Sequence, residues 1–294
     1  MKRLLMALAC TILCSTVFAA GPRGVRKRVQ ASMLVSGSIE VTSAGGVSRY
    51  TLDHPEKLAA EVKALLGAVI PAWKFAPLVV NGKTMTQDAK MSLRIVATPL
   101  DDGKYAIAVT GAWFGDRASR QSNVSAQTIS FKHRVQPSYP VQALRAGVGG
   151  TVYVLLKVGH EGKVVDAVAT QVNLRVIASD NQMASWRRVL ADAALSALRQ
   201  STFSPPTGGA AVDQPYWIAQ IPVEFFLTGS MARSTAQQAP YGQWQPYVPG
   251  PVQHAPWSGP YQVAGSPDAV PEGGALLAAT ALRLLTAPDA NRVP

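Results

Sequence analysis

The chain has 294 residues, enough for one or two ordinary domains and a tail, and 48% of it is apolar, which is ample for a packed core. Its formal net charge is +11, a balance that suits acidic partners such as lipid headgroups, lipopolysaccharide or acidic protein surfaces. Both cysteines, Cys10 and Cys14, lie in the first twenty residues, so the remainder can form neither a disulfide framework nor a thiolate metal site. No helix-turn-helix, zinc-finger or aromatic RNA-binding motif accompanies the charge, so nucleic acid is not an expected partner.

Residues 1–20 have the layout of an export signal. Lys2 and Arg3 form a short positive region, residues 4–17 are apolar, and Val17-Phe18-Ala19 sets small residues where a signal peptidase needs them. The apolar run is short for a bilayer span. Export to the periplasm by a cleavable signal is the expectation, with cleavage after Ala19 or Ala20. Arg23, Arg26, Lys27 and Arg28 follow within a basic arm, residues 21–32, and positive charge on that flank resists translocation. An uncleaved inner-membrane anchor facing the periplasm is therefore the alternative.

Residues 33–115 read as a first β-β-α-β unit. Residues 33–41 have a strand pattern, Ala44-Gly45-Gly46 is a turn, and residues 47–52 form a second strand. Asp53 is placed to cap a helix, with Pro55 in its first turn. Leu58, Val62, Leu65, Leu66 and Val69 recur at helical spacing, and Pro71 ends the run. Beyond the turn at Asn81-Gly82, two alternating segments around Asp101-Asp102-Gly103 predict a β-hairpin. Trp73 and Trp113 are expected to fill this unit's core.

Residues 131–228 repeat the layout. A short helix over residues 140–146 leads to strands over 151–158 and 164–172, turned at Glu161-Gly162. Trp186, Val189, Leu190, Ala193, Ala194, Ala197 and Leu198 make one helix face, and residues 217–227 a closing strand. Trp73-Lys74-Phe75-Ala76-Pro77 after the first helix parallels Thr202-Phe203-Ser204-Pro205 after the second, which suggests a degenerate internal duplication. The second unit is longer between its opening glycine and helix exit, with the extra residues around 173–183. The fold class is thus α+β: two related units, each an antiparallel sheet with a helix on one face. Residues 229–294, rich in Pro, Gln and Gly, are expected to be extended and largely disordered, with one short helix over 275–285.

The second unit resembles the C-terminal domain of TonB proteins. Gln136-Pro137-Ser138-Tyr139-Pro140, then Ala143, Gly147 and Gly150, follow the family's Pro-x-Tyr-Pro segment, short helix and opening glycines. Gly162-Lys163-Val164, the helix with Ala193, Leu195, Ala197 and Leu198, the exit Phe203-Ser204-Pro205, and Pro222-Val223-Glu224-Phe225 follow in the family's order. The resemblance implies binding without chemistry: an extended segment of an outer-membrane transporter, or of another envelope protein, added along a sheet edge. It places partner contact on Gln136, Pro137, Tyr139 and Pro140, and on the last strand at Trp217, Ala219, Ile221 and Val223. The chain departs from membrane-anchored energy transducers in lacking a charged, proline-rich spacer ahead of the domain, so a transducer is the second choice to an exported binding protein.

No catalytic signature accompanies this. His54, His133, His160 and His254 are scattered, no serine sits in a nucleophile elbow, and no phosphate loop occurs. The expectation is a non-enzyme without a cofactor. A cell-wall-binding role, in which the basic arm and tail contact peptidoglycan or an anionic envelope surface, is the remaining alternative. Exposed strand edges also allow a homodimer.

Overall fold

Long alternating runs and two amphipathic helices build two sheet-and-helix units, described here from a computed structural model. It describes residues 22–80, 83–101, 103–115, 129–207, 212–228, 231–233, 241–258, 276–277, 282 and 284–286. The expected signal and the turn at Asn81-Gly82 lie outside these residues.

The first unit follows a short helix α1 (Pro22–Arg26) and contains β1 (Gln30–Val41), β2 (Val47–Leu52), α2 (Ala60–Val69), β3 (Leu78–Val80), β4 (Lys83–Met85), β5 (Gln87–Pro99) and β6 (Tyr105–Gly115). The antiparallel sheet runs β2-β1-β5-β6, and β3 and β4 form a separate ribbon. Val62, Leu65, Leu66 and Val69 of α2 pack on Val35, Ile39, Leu93, Ile95 and Val109. The helix starts later than Asp53 suggested. The Asp53 carboxylate instead accepts a hydrogen bond from the Ser36 hydroxyl at 2.7 Å, and its amide donates to the Ser36 carbonyl. Pro55–Lys57 forms a 3-10 turn before α2 begins at Ala60. Trp73 fills the core as expected, 1% exposed, whereas Trp113 is only half-buried.

The second unit contains β7 (Ser130–His133), α3 (Val141–Arg145), β8 (Gly150–Val158), β9 (Val164–Leu174), α4 (Asp180–Gln200), β10 (Thr202–Ser204), β11 (Trp217–Thr228) and β12 (Met231–Arg233). Its antiparallel sheet runs β12-β11-β8-β9. Ser179 and Gln182 close a capping box on α4, and Met183, Leu190, Ala194, Ala197 and Leu198 form its buried stripe. Gly147, at φ 65, ends α3 in the left-handed conformation that glycine adopts most readily.

The two units repeat one path. In each, a strand hairpin is followed by the helix, and the next long strand returns beside the hairpin's first strand. Each also repeats one local clasp. In the first, the Phe75 amide donates to the Gly45 carbonyl at 2.8 Å; in the second, the Phe203 amide donates to the Gly162 carbonyl at 2.8 Å. Both glycines have positive φ, 82 and 73, and a Cβ on either would overlap the carbonyl oxygen of its phenylalanine. Only glycine allows this approach of turn to helix exit.

The tail is extended, as expected, but over residues 241–258 it is held in place and not disordered. β13 (Gln245–Tyr247) pairs antiparallel with the start of β1. Val248 exchanges backbone hydrogen bonds with Leu174, at 2.7 and 3.1 Å, at the outer edge of β9. The Arg187 guanidinium donates to the carbonyls of Val172, Val248 and Pro249, the Gly250 amide donates to the Asn173 side chain, and Trp257 donates to Asp166. This strap joins the first sheet to the second. Further on, β14 (Leu276–Leu277) pairs with β11, and Leu284 pairs with Phe75. At those positions the expected helix over 275–285 is replaced by extended chain, because sheet edges supply the hydrogen bonds that a helix would have supplied internally.

Candidate partner-binding edge

β11 is positioned by its inner neighbour. It pairs with β8 without interruption from Trp217 to Phe225. On its outer side, β14 meets Ala219 and Gln220, and β12 meets Phe226, Leu227 and Thr228. Between them, Ile221, Pro222 and Val223 pair only with β8 among the described residues. Pro222 has no amide hydrogen, and proline is tolerated within a strand where that side faces an edge. Main-chain groups alternate sides along a strand. The backbone at Gln220 and Glu224 therefore faces outward with Pro222, and that at Ala219, Ile221 and Val223 faces β8.

The register places the side chains of the contacts expected on this strand. Trp217, Ala219, Ile221 and Val223 turn their side chains into the core beneath α4, each less than a tenth exposed. They are packing residues, and their main chain is committed to β8. The side chains of the other parity, Ile218, Gln220, Pro222, Glu224 and Phe226, lie on the opposite face, where Ile218 and Gln220 are buried too and Pro222, Glu224 and Phe226 are half-buried. The alternation was visible in the sequence; what was missing was which parity pointed at the helix.

The lead-in segment is split in the same way. Gln136 is exposed, Pro137 is buried, and Tyr139 and Pro140 are half-buried. The Tyr139 hydroxyl donates to the Val148 carbonyl at 2.6 Å, and its ring stands edge-on to Phe225 at 5.4 Å. Burial pushes its pKa up to about 12, with nearby Arg175 pulling the other way. Tyr139 thus plugs the end of the core, and Gln136 and Ser138 are the exposed members of the segment.

Arg175, Glu224 and Phe226 form a cluster on the outer register that sequence reasoning did not assemble. The Arg175 guanidinium lies 3.4 Å from the Glu224 carboxylate and 4.2 Å above the Phe226 ring. Pairs so far apart in sequence meet only through sheet register, so no local pattern announced them. Together they form an ion pair stacked on an aromatic ring, spanning β8 from the end of β9 to β11.

Among the described residues, no group of three or more His, Cys, Asp or Glu side chains could hold a metal ion, and no helix is long and apolar enough to cross a membrane. Neither a curated protein nor a solved structure matches the chain. Residues 135–227 match the family model described as the Gram-negative bacterial TonB protein C-terminal. The matched range runs from the lead-in beside Gln136 to within one residue of the end of β11, so it takes in the whole candidate edge. Over residues 135–227, the chain carries a domain of the TonB C-terminal family.

Proposed function

We propose that this protein is an exported, non-catalytic binding protein of the cell envelope, which takes an extended segment of an outer-membrane transporter or another envelope protein onto the outer edge of β11. The family match supports an envelope partner of this kind. The single observation that carries the mode is the edge itself: a strand of the matched domain paired continuously on one side and, among the described residues, only in part on the other. β14 occupies two of its positions, Ala219 and Gln220. A partner strand that spans the edge must displace it.

Two observations favour an adaptor over an energy transducer. Val25, in α1, is fully buried in the core of the second unit, and Arg28 pairs with Asp180 at the start of α4. From residue 20 to Val25 the chain can span at most ~18 Å. A membrane anchor in residues 1–20 would hold the domain close to the membrane, without reach across the periplasm. The Pro-rich stretch at residues 241–258 is engaged as a strap and supplies no spacer either. The same engagement of Tyr241, Trp244, Tyr247 and Trp257 counts against a wall-binding tail over that stretch.

The test is binding of purified full-length protein to detergent-solubilised outer-membrane transporters from the same cells, compared with Gln220→Pro and with a chain ending at residue 258. The outward amide at Gln220 makes the first variant lose most of the binding, at least tenfold. Removal of β14 makes the second bind several-fold more tightly. Full binding by a correctly folded Gln220→Pro variant would overturn the edge assignment.

A further inference from the structure

Each unit's helix exit runs as extended chain, with a buried phenylalanine, Phe75 in the first unit and Phe203 in the second. On one side this chain meets the hairpin turn, where Lys74 bridges Gly46 and Thr202 bridges Lys163. Main-chain groups alternate sides, so the other side is a slot for one more strand. In the second unit the slot is filled by the unit's own lead-in. β7 pairs there with β10, and Phe203 sits opposite Phe131 with ring centroids 4.7 Å apart. In the first unit the residues ahead of β1 go elsewhere, since Val25 and Val29 pack on the second core. Its slot is filled from the far end of the chain. Leu284 bridges Phe75 antiparallel, and the Leu285 amide donates to the Lys74 carbonyl at 2.7 Å. The Lys74 amide donates to the Thr286 hydroxyl at 2.8 Å. Leu282 and Leu284 are buried in the first core, whereas Leu285 is 56% exposed.

We infer that this slot is a second strand-binding site, and that the segment Leu282–Thr286 of one copy seats in the slot of a second copy as it does in its own. The contacts are those of strand addition: backbone bonds hold the segment, and two leucines of one parity enter the core. Every copy carries both the slot and the segment, so seating between copies remakes the same bonds and buries the same leucines. The first unit already takes this strand from outside itself. Exchange of an identical element between protomers is a low-cost route to a dimer. From Ser258, the end of the strap, to Leu282 the chain can span at most ~85 Å, which reaches an adjacent copy. Concentration decides between the two seatings. A segment on its own chain faces its slot at an effective concentration on the order of millimolar. The exchanged dimer therefore grows as the protein approaches that range. The slot lies apart from the β11 edge, and its test uses no transporter.

The experiment is sedimentation velocity of the full chain from about 10 micromolar to about 1 millimolar, the range that brackets the effective concentration, beside the variant Leu285→Pro. That variant removes the amide bonded to the Lys74 carbonyl at an exposed position, so the core is untouched. The unaltered chain should pass from monomer to a dimer holding roughly a third of the chains at the top concentration. Leu285→Pro should cut that dimer at least fivefold. A second measurement is titration of a labelled peptide copying residues 280–288. It should bind folded Leu285→Pro at one site, at least tenfold more tightly than the unaltered chain, whose own segment competes. The same peptide carrying Leu284→Asp should bind at least tenfold more weakly. A chain that stays monomeric throughout, or a dimer untouched by Leu285→Pro, would overturn the exchange between copies. Absence of saturable peptide binding to folded Leu285→Pro would overturn the slot itself.

Discussion

Replacing Gly162 by alanine tests the clasp that fixes the helix exit against the β8–β9 turn, and through it the placement of β11. Gly162 has φ 73, where an L-residue costs about 1 kcal/mol. The new Cβ would overlap the Phe203 carbonyl oxygen, so β10 must retreat. That retreat breaks the 2.8 Å bond from the Phe203 amide to the Gly162 carbonyl, worth about 1 kcal/mol net. It also draws out the Phe203 ring, now 1% exposed, and partial loss of its burial costs about 1 kcal/mol more. The expected loss is about 3 kcal/mol, a large part of the 5–15 kcal/mol that holds an ordinary domain. Urea unfolding followed by circular dichroism should show the midpoint falling by roughly 1.5 M. Gly103 supplies the control: its φ is 79, but a Cβ there meets nothing within 4 Å. Gly103→Ala should cost only the backbone share, about 1 kcal/mol. A loss at Gly162 no greater than at Gly103 would refute the clasp.

Other outcomes follow from the same geometry. Tyr139 has its pKa raised by burial from 10.0 to about 12, so its protonated form is favoured by folding; its contribution is intact below pH 10 and disappears as pH rises towards 12. Tyr139→Phe should flatten the alkaline limb of a stability–pH profile in that window, and an unchanged limb would contradict the buried phenol. Arg187→Met keeps the apolar stem but removes the guanidinium bonds to Val172, Val248 and Pro249. Hydrogen exchange at the Val248 amide should quicken at least tenfold, while exchange in β8 stays slow.

Much of the fold was legible because its elements carry strong local signals. β2 and the start of β11 fall where alternation placed them, and the glycines at 147 and 162 adopt the left-handed backbone their turns need. Asp53 misled because an aspartate before a proline reads as a helix cap, yet a hydroxyl across the hairpin, on Ser36, claims its carboxylate. The strap was illegible for a different reason. Pro-rich chain without an apolar period cannot build its own core, but it can lie along a sheet edge, and only the folded sheet reveals that edge. Gly250 shows the fit: a Cβ there would overlap the Val172 carbonyl oxygen, and Gln171 and Asn173 bond its main chain. At the candidate site, the sequence located the strand, and the side-chain parity came from the helix packed beneath it.

The most direct test of the central claim is residue-resolved hydrogen exchange of the full chain, with and without a synthetic peptide copying the periplasm-facing segment of an outer-membrane transporter that the full-length protein binds in the detergent-solubilised assay proposed above. The account predicts slower exchange at the outward amide of Glu224 and protection at least as strong at that of Gln220, where the peptide takes the place of β14, with the Val248–Leu174 pairing at β9 unchanged. Saturating peptide that leaves both β11 amides unaltered, or protects only the β9 edge, would contradict it.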